Sequence, residues 1–197
     1  MCQLKSAIIL KDRVFVPEYD SHTDMLEELG IKDIKKNAER LFVRAELVPT
    51  NGDVFKPVDE WNFTVDQDII PDWFVEEVDK QRMIEAVKAW AKDHVHIGVD
   101  GLKINSGSGH YIKDCKDAVI CGSATVENIY GSATVKYICD SATVEKLKDN
   151  ATMVGSPYGW KNKDKVIITE NATFKDRETK TMWQSGDWTL KLVKEGE

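Results

Sequence analysis

Hydrophobic and polar positions in the middle of the chain follow a pattern that repeats every nine residues. In the segment GSATVENIYGSATVKYICDSATVEKLKDNATM, residues 122–153, an alanine recurs at four equally spaced positions. Threonine follows each alanine, valine or methionine comes next, and isoleucine or leucine stands four residues earlier. In-phase copies of one phrase indicate an architecture in which each unit stacks on its neighbours. The alanine column consists of Ala124, Ala133, Ala142 and Ala151.

Strands rather than helices are predicted for this repeat, because threonine and valine recur and glycine or aspartate punctuates each unit. Alternation in the phrase SATV places alanine and valine on one side of a strand and serine and threonine on the other. Nine residues hold one short strand and a turn, so two units, 18 residues, are needed to enclose a core. The sequence therefore predicts a β-solenoid of roughly three coils across residues 101–179. Ile129 is expected to stack over Leu147, and Ile120 over Ile138.

The ends and corners of this solenoid are also visible in the pattern. A further copy of the phrase surrounds Ala172, 21 residues after Ala151, and we interpret this step as one coil plus a three-residue insertion in the loop GSPYGWKNKD. Open strand edges at the ends of a solenoid need covering. The C-terminal segment, residues 180–197, is expected to cap one end and the N-terminal region the other. Glycine or aspartate takes each corner, at Gly122, Gly131, Asp140 and Asp149.

An α+β domain is predicted for residues 1–100. The runs SAIILKD and RVFVP read as a hairpin, and RLFVRAELVP and EWNFTVDQDI as two further strands. Ser21, followed three residues later by Asp24, begins a short helix that closes at Gly30. The strongest helix, about residues 79–93, buries a stripe that includes Met83, Ile84 and Val87. The predicted order is β-β-α-β-β-α.

Composition and charge narrow the classes of function. The formal net charge of −7 argues against nucleic acid as a partner, since such interfaces need a basic stripe. No apolar run reaches the roughly 18 residues of a membrane helix, so no membrane partner is expected. Four cysteines without a C-x-x-C pair favour a reducing, cytoplasmic location. Cys121 and Cys139 are expected to stack on one edge as free, buried thiols.

The candidate ligand-binding residues surround the junction between the predicted domain and the repeat. In HVHIGVD, two histidines two residues apart share a face of a strand and could bind zinc, but no Cys pair or H-E-x-x-H motif supports them. The glycines of NSGSGHY could let the backbone approach a phosphate, although no helix follows. A tryptophan in the predicted loop could stack on a ring. These residues are His94, His96, Asp100, Gly107, Gly109, His110 and Trp160.

Other chemistries match the sequence poorly. Calcium-binding nonapeptide rolls need G-G-x-G-x-D turns, whereas each corner here has a single glycine or aspartate. Cys2 could become an N-terminal nucleophile after removal of Met1, but the predicted first domain is small for that class of amidohydrolase. We therefore expect no catalytic residues, no metal and no cofactor.

Several segments together resemble an uncharacterised group of proteins from gut bacteria and their phages. They are KSAIILKDRVFVPEYDSHTDML, VDQDIIPDWF, HVHIGVDGL and the tandem GSATV units, and the likeness spans most of the chain. The resemblance implies a phage or gut-bacterial setting and a variable number of nonapeptide units, but no mechanism. In architecture alone, the predicted solenoid is similar to polymer-forming bactofilins.

Two functions from different classes are consistent with these patterns. The first is a non-enzymatic binding or assembly protein, with the solenoid as a scaffold, the N-terminal domain as the reader, and a homodimer as the assembly. The second is a small-molecule or nucleotide binder, either a counter-defence protein that sequesters its ligand or a small enzyme, with its site at the predicted junction.

Overall fold

The computed structural model describes residues 5–155 and 160–185. The chain divides into two compact units, Met1–Val95 and His96–Glu197. Among the described residues, no helix is long and apolar enough to cross a membrane.

The first unit contains a four-stranded antiparallel sheet with the order β2-β1-β3-β4. The hairpin predicted at its start is present, because Ile9 pairs with Val14. Ser21 caps the first helix, its hydroxyl accepting a hydrogen bond from the Asp24 N–H. The strands are β1 (Lys5–Leu10), β2 (Val14–Phe15), β3 (Phe42–Val48) and β4 (Asn62–Val65), and the helices are α1 (His22–Glu28), α2 (Lys35–Ala38) and α3 (Glu76–His94).

The two faces of this sheet have different neighbours. On one face, Ile8 and Phe42 pack with Met25 and Leu26 of α1 in a single buried cluster. On the other face, α3 contacts β1 and buries the predicted stripe that includes Met83. The short helix α2 was not predicted, because its four residues are too few to show a helical period. Alternation along β1 and β3 therefore decides which side chains meet α1 and which meet α3.

The second unit contains a β-solenoid of about four turns with about 18 residues per turn. One sheet has the order β13-β11-β9-β7-β5, in which β13, β11, β9 and β7 pair in parallel. The other sheet has the order β15-β14-β12-β10-β8-β6, in which β15 is antiparallel to β14. The prediction of roughly three coils was too low, because the first strands join the stack without the SATV phrase. The strands are β5 (Val95–Ile97), β6 (Lys103–Ile104), β7 (His110–Lys113), β8 (Ala118–Ile120), β9 (Thr125–Tyr130), β10 (Thr134–Ile138), β11 (Thr143–Leu147), β12 (Thr152–Gly155), β13 (Ile167–Ile168), β14 (Thr173–Asp176) and β15 (Thr181–Gln184).

The predicted core columns are in register. Ile129 pairs with Leu147, and Ile120 with Ile138, as neighbours in parallel strands. All alanines of the repeat are fully buried. Thr152 pairs with Thr173, so the 21-residue step is one coil with a small insertion. The interior is thus a narrow stack of apolar side chains. Backbone hydrogen bonds from each rung to the next hold together the sheets that enclose it.

Carboxylates bind the backbone at the solenoid corners, which the repeat pattern did not predict. Asp140 accepts a hydrogen bond from the Gly122 N–H at 3.0 Å, and Asp149 accepts one from the Gly131 N–H at 2.8 Å. Each of these four corner residues has a positive φ, between 55° and 67°. A carboxylate from one turn therefore satisfies a backbone donor of the turn before it, where the corner geometry leaves that donor outside the sheet ladder.

Glycine is required at the two earlier corners for a steric reason beyond φ. A Cβ on Gly131 would lie 2.1 Å from an oxygen of the Asp114 carboxylate, and a Cβ on Gly122 would lie 2.1 Å from the Asn105 carbonyl oxygen. Both distances are far shorter than van der Waals contact. Aspartate is accommodated at the later corners despite the cost of a positive φ, which aspartate tolerates better than most residues.

The cysteine prediction was wrong in one respect. Cys121 and Cys139 do stack on adjacent rungs, with their Cα atoms 4.8 Å apart, but they form a disulfide instead of two free thiols. Their positions 18 residues apart place them on the same edge one full turn apart, and this brings their Cβ atoms within bonding range. Cys115 is free and buried.

We expect Ala133→Glu to unfold the solenoid, because Ala133 is fully buried in its narrow core. An unpaired buried carboxylate should cost about 4 kcal/mol or more of the free energy of unfolding. Circular dichroism and thermal melting measure this loss. Lys136→Glu is the matched control, since it places the same carboxylate on the exposed face of β10. Native melting of Ala133→Glu would contradict the inward assignment of the alanine column.

Acid should remove part of the solenoid's stability through Asp114. The Ser132 backbone N–H donates to its carboxylate at 2.8 Å and holds the pKa of that carboxyl below its ordinary value. A lowered folded-state pKa stabilises the protein above the unfolded-state pKa, and this contribution disappears as the pH falls through the folded-state value. Asp114→Asn should therefore lower the melting temperature at neutral pH, and its difference from the unmodified protein should shrink between about pH 5 and pH 2.

The control for the acid effect is Glu145→Gln, which removes an exposed carboxylate from β11. Its difference from the unmodified protein should stay small and nearly constant over the same range. A pH-independent effect of Asp114→Asn would show that the carboxylate charge contributes nothing at this corner.

Candidate functional site

The structure brings two of the predicted ligand-binding histidines together. Nε2 of His96 lies 3.4 Å from Nδ1 of His110, and the rings stack with centroids 5.6 Å apart. The other ring nitrogen of His110, Nε2, lies 3.1 Å from the Ser106 carbonyl oxygen and must donate to it, since a carbonyl only accepts. His110 is buried, and His96 is half-buried. These two rings form an ordered polar pair on adjacent solenoid strands.

His94 has a different role within the first unit. Its ring stacks on Trp90 with centroids 4.8 Å apart, and Nδ1 donates to the Trp90 carbonyl oxygen at 2.8 Å. Lysine and histidine are favoured in the last turn of a helix, where they interact with its carbonyl groups. His94 therefore completes the end of α3, in the way expected of a helix-terminal histidine.

The remaining predicted residues have mainly architectural contacts. Gly107 and Gly109 both have positive φ, and the Gly107 carbonyl accepts a hydrogen bond from the Thr125 N–H, so the segment is a solenoid corner. Asp100 is exposed and forms a single β-bridge with Lys116. Trp160 is 3% exposed and belongs to the solenoid core. Its indole N–H donates to the Ala142 carbonyl oxygen at 2.7 Å, so the ring is packed inward instead of being presented to a ligand.

The cysteines of the second unit offer little reactive chemistry. Burial raises the pKa of the Cys115 thiol, and a thiol is a poorer nucleophile than its thiolate. Cys121, Cys139 and Asp140 lie close enough together to hold a metal ion. Both sulfurs are already bonded to each other, however, and a disulfide sulfur is not a thiolate ligand. Cys2, the other candidate nucleophile, lies outside the described residues.

A second group of titratable side chains lies in the first unit and was missed by the sequence analysis. The imidazole of His22 and the carboxylates of Glu46 and Asp66 offer ligand atoms that all lie within 4.8 Å of one another. These residues are far apart in the sequence and match no short motif. Only the pairing of β3 with β4, and the placement of α1 beside them, brings them together. Side chains alternate along a strand, so Glu46 projects from the face opposite to that of the buried Ala45, but nothing in the sequence identifies its neighbours on that face.

A buried lysine lies next to this group but faces the other side of the sheet. Lys5 is 1% exposed, and burial lowers the pKa of its ammonium group. The ammonium donates to the Asp20 carboxylate at 2.7 Å and lies 5.1 Å from the centre of the Trp90 ring. Its charge is thus matched by Asp20, which also accepts a hydrogen bond from the Ser6 N–H.

Comparison with known proteins supplies no template for either site. No family model matches the chain, and neither the curated proteins nor the solved structures contain a significant match.

Proposed function

We propose that this protein is a non-enzymatic binding and assembly protein, in which the solenoid is a rigid scaffold and the N-terminal unit is the reader. In this proposal, residues 1–100 form an α+β domain and residues 180–197 act as a cap, of which residues 186–197 lie outside the described residues. The protein is of phage or mobile-element origin and works in the cytoplasm, a location that the cysteine spacing favours but that the Cys121–Cys139 disulfide opposes, since disulfides are rare in that compartment. The resemblance of its repeat and its N-terminal segments to gut-bacterial and phage proteins supports that origin.

The scaffold role is supported by how the solenoid uses its polar groups. The carboxylates of Asp114, Asp140 and Asp149 accept hydrogen bonds from corner backbone groups of neighbouring turns. The side chain of Asn162 donates to the Ser141 and Ala142 carbonyl oxygens. These contacts stabilise the stack itself. A regular stack of this kind resists bending and can hold other elements at a fixed spacing.

One observation in particular favours self-association through the end of the stack that contains β13 and β15. Among the described residues, these strands are the last of their sheets, and they expose Ile167, Met182 and Trp183. Ile167 is 54% exposed, and Met182 is 40% exposed. Terminal strands with exposed apolar side chains are prone to pair with another chain. A second copy related by a two-fold axis would bury both sets at once.

A second function is favoured by the His96 and His110 pair. Stacked imidazoles beside a glycine-containing corner could bind a small anionic or nucleotide ligand, as a sequestering counter-defence protein or a small enzyme would require. Native mass spectrometry of the protein purified from cells tests this alternative. A retained small molecule that is lost in a His96→Ala variant would favour ligand binding over the scaffold role.

We expect the protein to be a dimer at micromolar concentration, and the double substitution Ile167→Lys with Met182→Lys to convert it to the monomer of 22.3 kDa. Two added charges per copy would have to be buried in the proposed interface, which is strongly unfavourable. Sedimentation equilibrium measures the mass directly.

Val78→Lys is the matched control for this experiment. Val78 is 58% exposed on α3 in the first unit, so it tests whether any exposed lysine substitution changes the mass. The unmodified protein sedimenting as a single monomeric species at every concentration would refute the assembly role. So would a dimer that the double variant leaves intact.

A further inference from the structure

The His22, Glu46 and Asp66 group has the composition and spacing of a metal site. One imidazole and two carboxylates are ligands that zinc and other divalent transition metals accept. Nδ1 of His22 lies 3.2 Å from Oδ2 of Asp66. Two ligand atoms bound tetrahedrally to one zinc ion are separated by about 3.4 Å, given bond lengths near 2.1 Å. The observed spacing is compatible with two ligands of one ion, and equally with a direct hydrogen bond between the two groups.

The hydrogen bonding of His22 leaves the correct nitrogen for a metal. Nε2 lies 3.2 Å from the Ala45 carbonyl oxygen and must donate its proton there. In the neutral ring, Nδ1 then presents a lone pair towards a carboxylate oxygen, which also has only lone pairs to offer. Either a proton on Nδ1, which would make an ion pair with Asp66, or a metal cation between the two atoms resolves this contact. Donation of the second ring N–H to a backbone carbonyl is also the usual way in which a metal-binding histidine is oriented.

Glu46 supplies the third ligand from the same face of the sheet. Glu46 pairs with Thr64 on β4, and Asp66 lies two residues beyond Thr64, so its side chain projects from the same face. The Asp66 N–H donates to the Arg44 carbonyl oxygen and continues this pairing. The Glu46 carboxylate makes no hydrogen bond or ion pair with any described residue. Two carboxylates so close together repel each other unless a cation lies between them.

An orphaned hydroxyl provides an independent indication of a missing ligand. Ser6 pairs directly with Glu46 across β1 and β3, so the two side chains lie side by side on one face. Ser6 is 1% exposed, yet its hydroxyl has no hydrogen-bond partner among the described residues. A buried hydroxyl is normally paired, and one without a partner needs an explanation. Beside a metal site, it would donate to a ligand carboxylate or to a metal-bound water.

Nearby cations do not satisfy the two carboxylates. Lys5 is paired with Asp20 and belongs to the opposite face of β1. Arg44 shares the face of Glu46, but its guanidinium is paired with Asp33 and stacks on Phe42. The group therefore keeps a local negative charge that a divalent cation would neutralise.

We infer that His22, Glu46 and Asp66 bind one divalent transition-metal ion, with zinc as the best match, and that Ser6 supports this site through a second-sphere hydrogen bond. The His22 side chain is 10% exposed and that of Asp66 is 58% exposed, so the site is anchored in the unit and open to solvent on one side. Three protein ligands with an open fourth position allow water or a partner's side chain to complete the coordination. This site does not depend on the assembly role proposed above.

The test is isothermal titration of zinc chloride into the full chain after treatment with a chelator and dialysis. We expect one equivalent of zinc to bind, and Asp66→Asn and Glu46→Gln each to weaken its affinity more than tenfold, because each removes a charged ligand. His22→Ala should abolish binding. Ser6→Ala should weaken it less, since the hydroxyl is not a direct ligand. Cobalt substitution should give visible absorption bands that the same variants remove.

Controls separate this site from other sources of zinc affinity. Glu27→Gln removes an exposed carboxylate from α1 and should leave the affinity unchanged. Asp66→Asn changes an exposed side chain, so it keeps the test valid if His22→Ala fails to fold. Absence of stoichiometric zinc binding would overturn the inference. Binding that survives the ligand variants but is lost in His96→Ala, or after the thiols are blocked, would overturn it equally.

Discussion

Backbone hydrogen bonding between successive rungs is the interaction on which the second unit depends. Each strand is too short to be stable alone and can satisfy its donors and acceptors only through the strands one turn before and after it. The Thr143 N–H donates to the Ala124 carbonyl oxygen, and the Thr152 N–H to that of Ala133, both across one turn. A turn of only about 18 residues encloses a thin interior, which explains why alanine occupies one column of every repeat. The corner carboxylates extend the same principle to donors that no strand can reach.

The first unit obeys a different constraint, the alternation of side chains across a sheet that is covered on both faces. Neighbouring residues of β1 project from different faces of the sheet. Lys5 faces Trp90 of α3, whereas Ser6 pairs with Glu46 on the face that α1 covers. Both are polar and buried. Lys5 has Asp20 as its counter-ion, but the Ser6 hydroxyl has no partner among the described residues. This difference is the physical basis for assigning a ligand to the α1 face.

The sequence allowed the solenoid core to be predicted residue by residue, because its contacts recur at a constant spacing. Ile129 over Leu147 follows from counting alone. The hydrogen bonds at the corners were not predicted, since glycine and aspartate both occur in turns with positive φ and nothing local in the sequence shows that Asp149 binds the Gly131 backbone. The grouping of His22 with Glu46 and Asp66 was equally hidden, because it depends on strand order and on the position of α1. Trp160 was predicted to lie in a loop where it could stack on a ring, but it is buried in the solenoid core, where its indole N–H donates to the Ala142 carbonyl oxygen, and nothing local in the sequence indicates this packing.

The full-turn repeat also determines how the length of this chain can change during evolution. Loss or gain of 18 residues by recombination between repeats would remove or add one strand in each sheet and leave later rungs in register. Loss of only nine residues would move every later strand to the opposite sheet. If the deletion fell between Cys121 and Cys139, it would place these residues on opposite walls and break their disulfide. Selection that preserves the Cys121–Cys139 disulfide and the hydrogen bonds at the corners therefore favours solenoids that differ by whole turns.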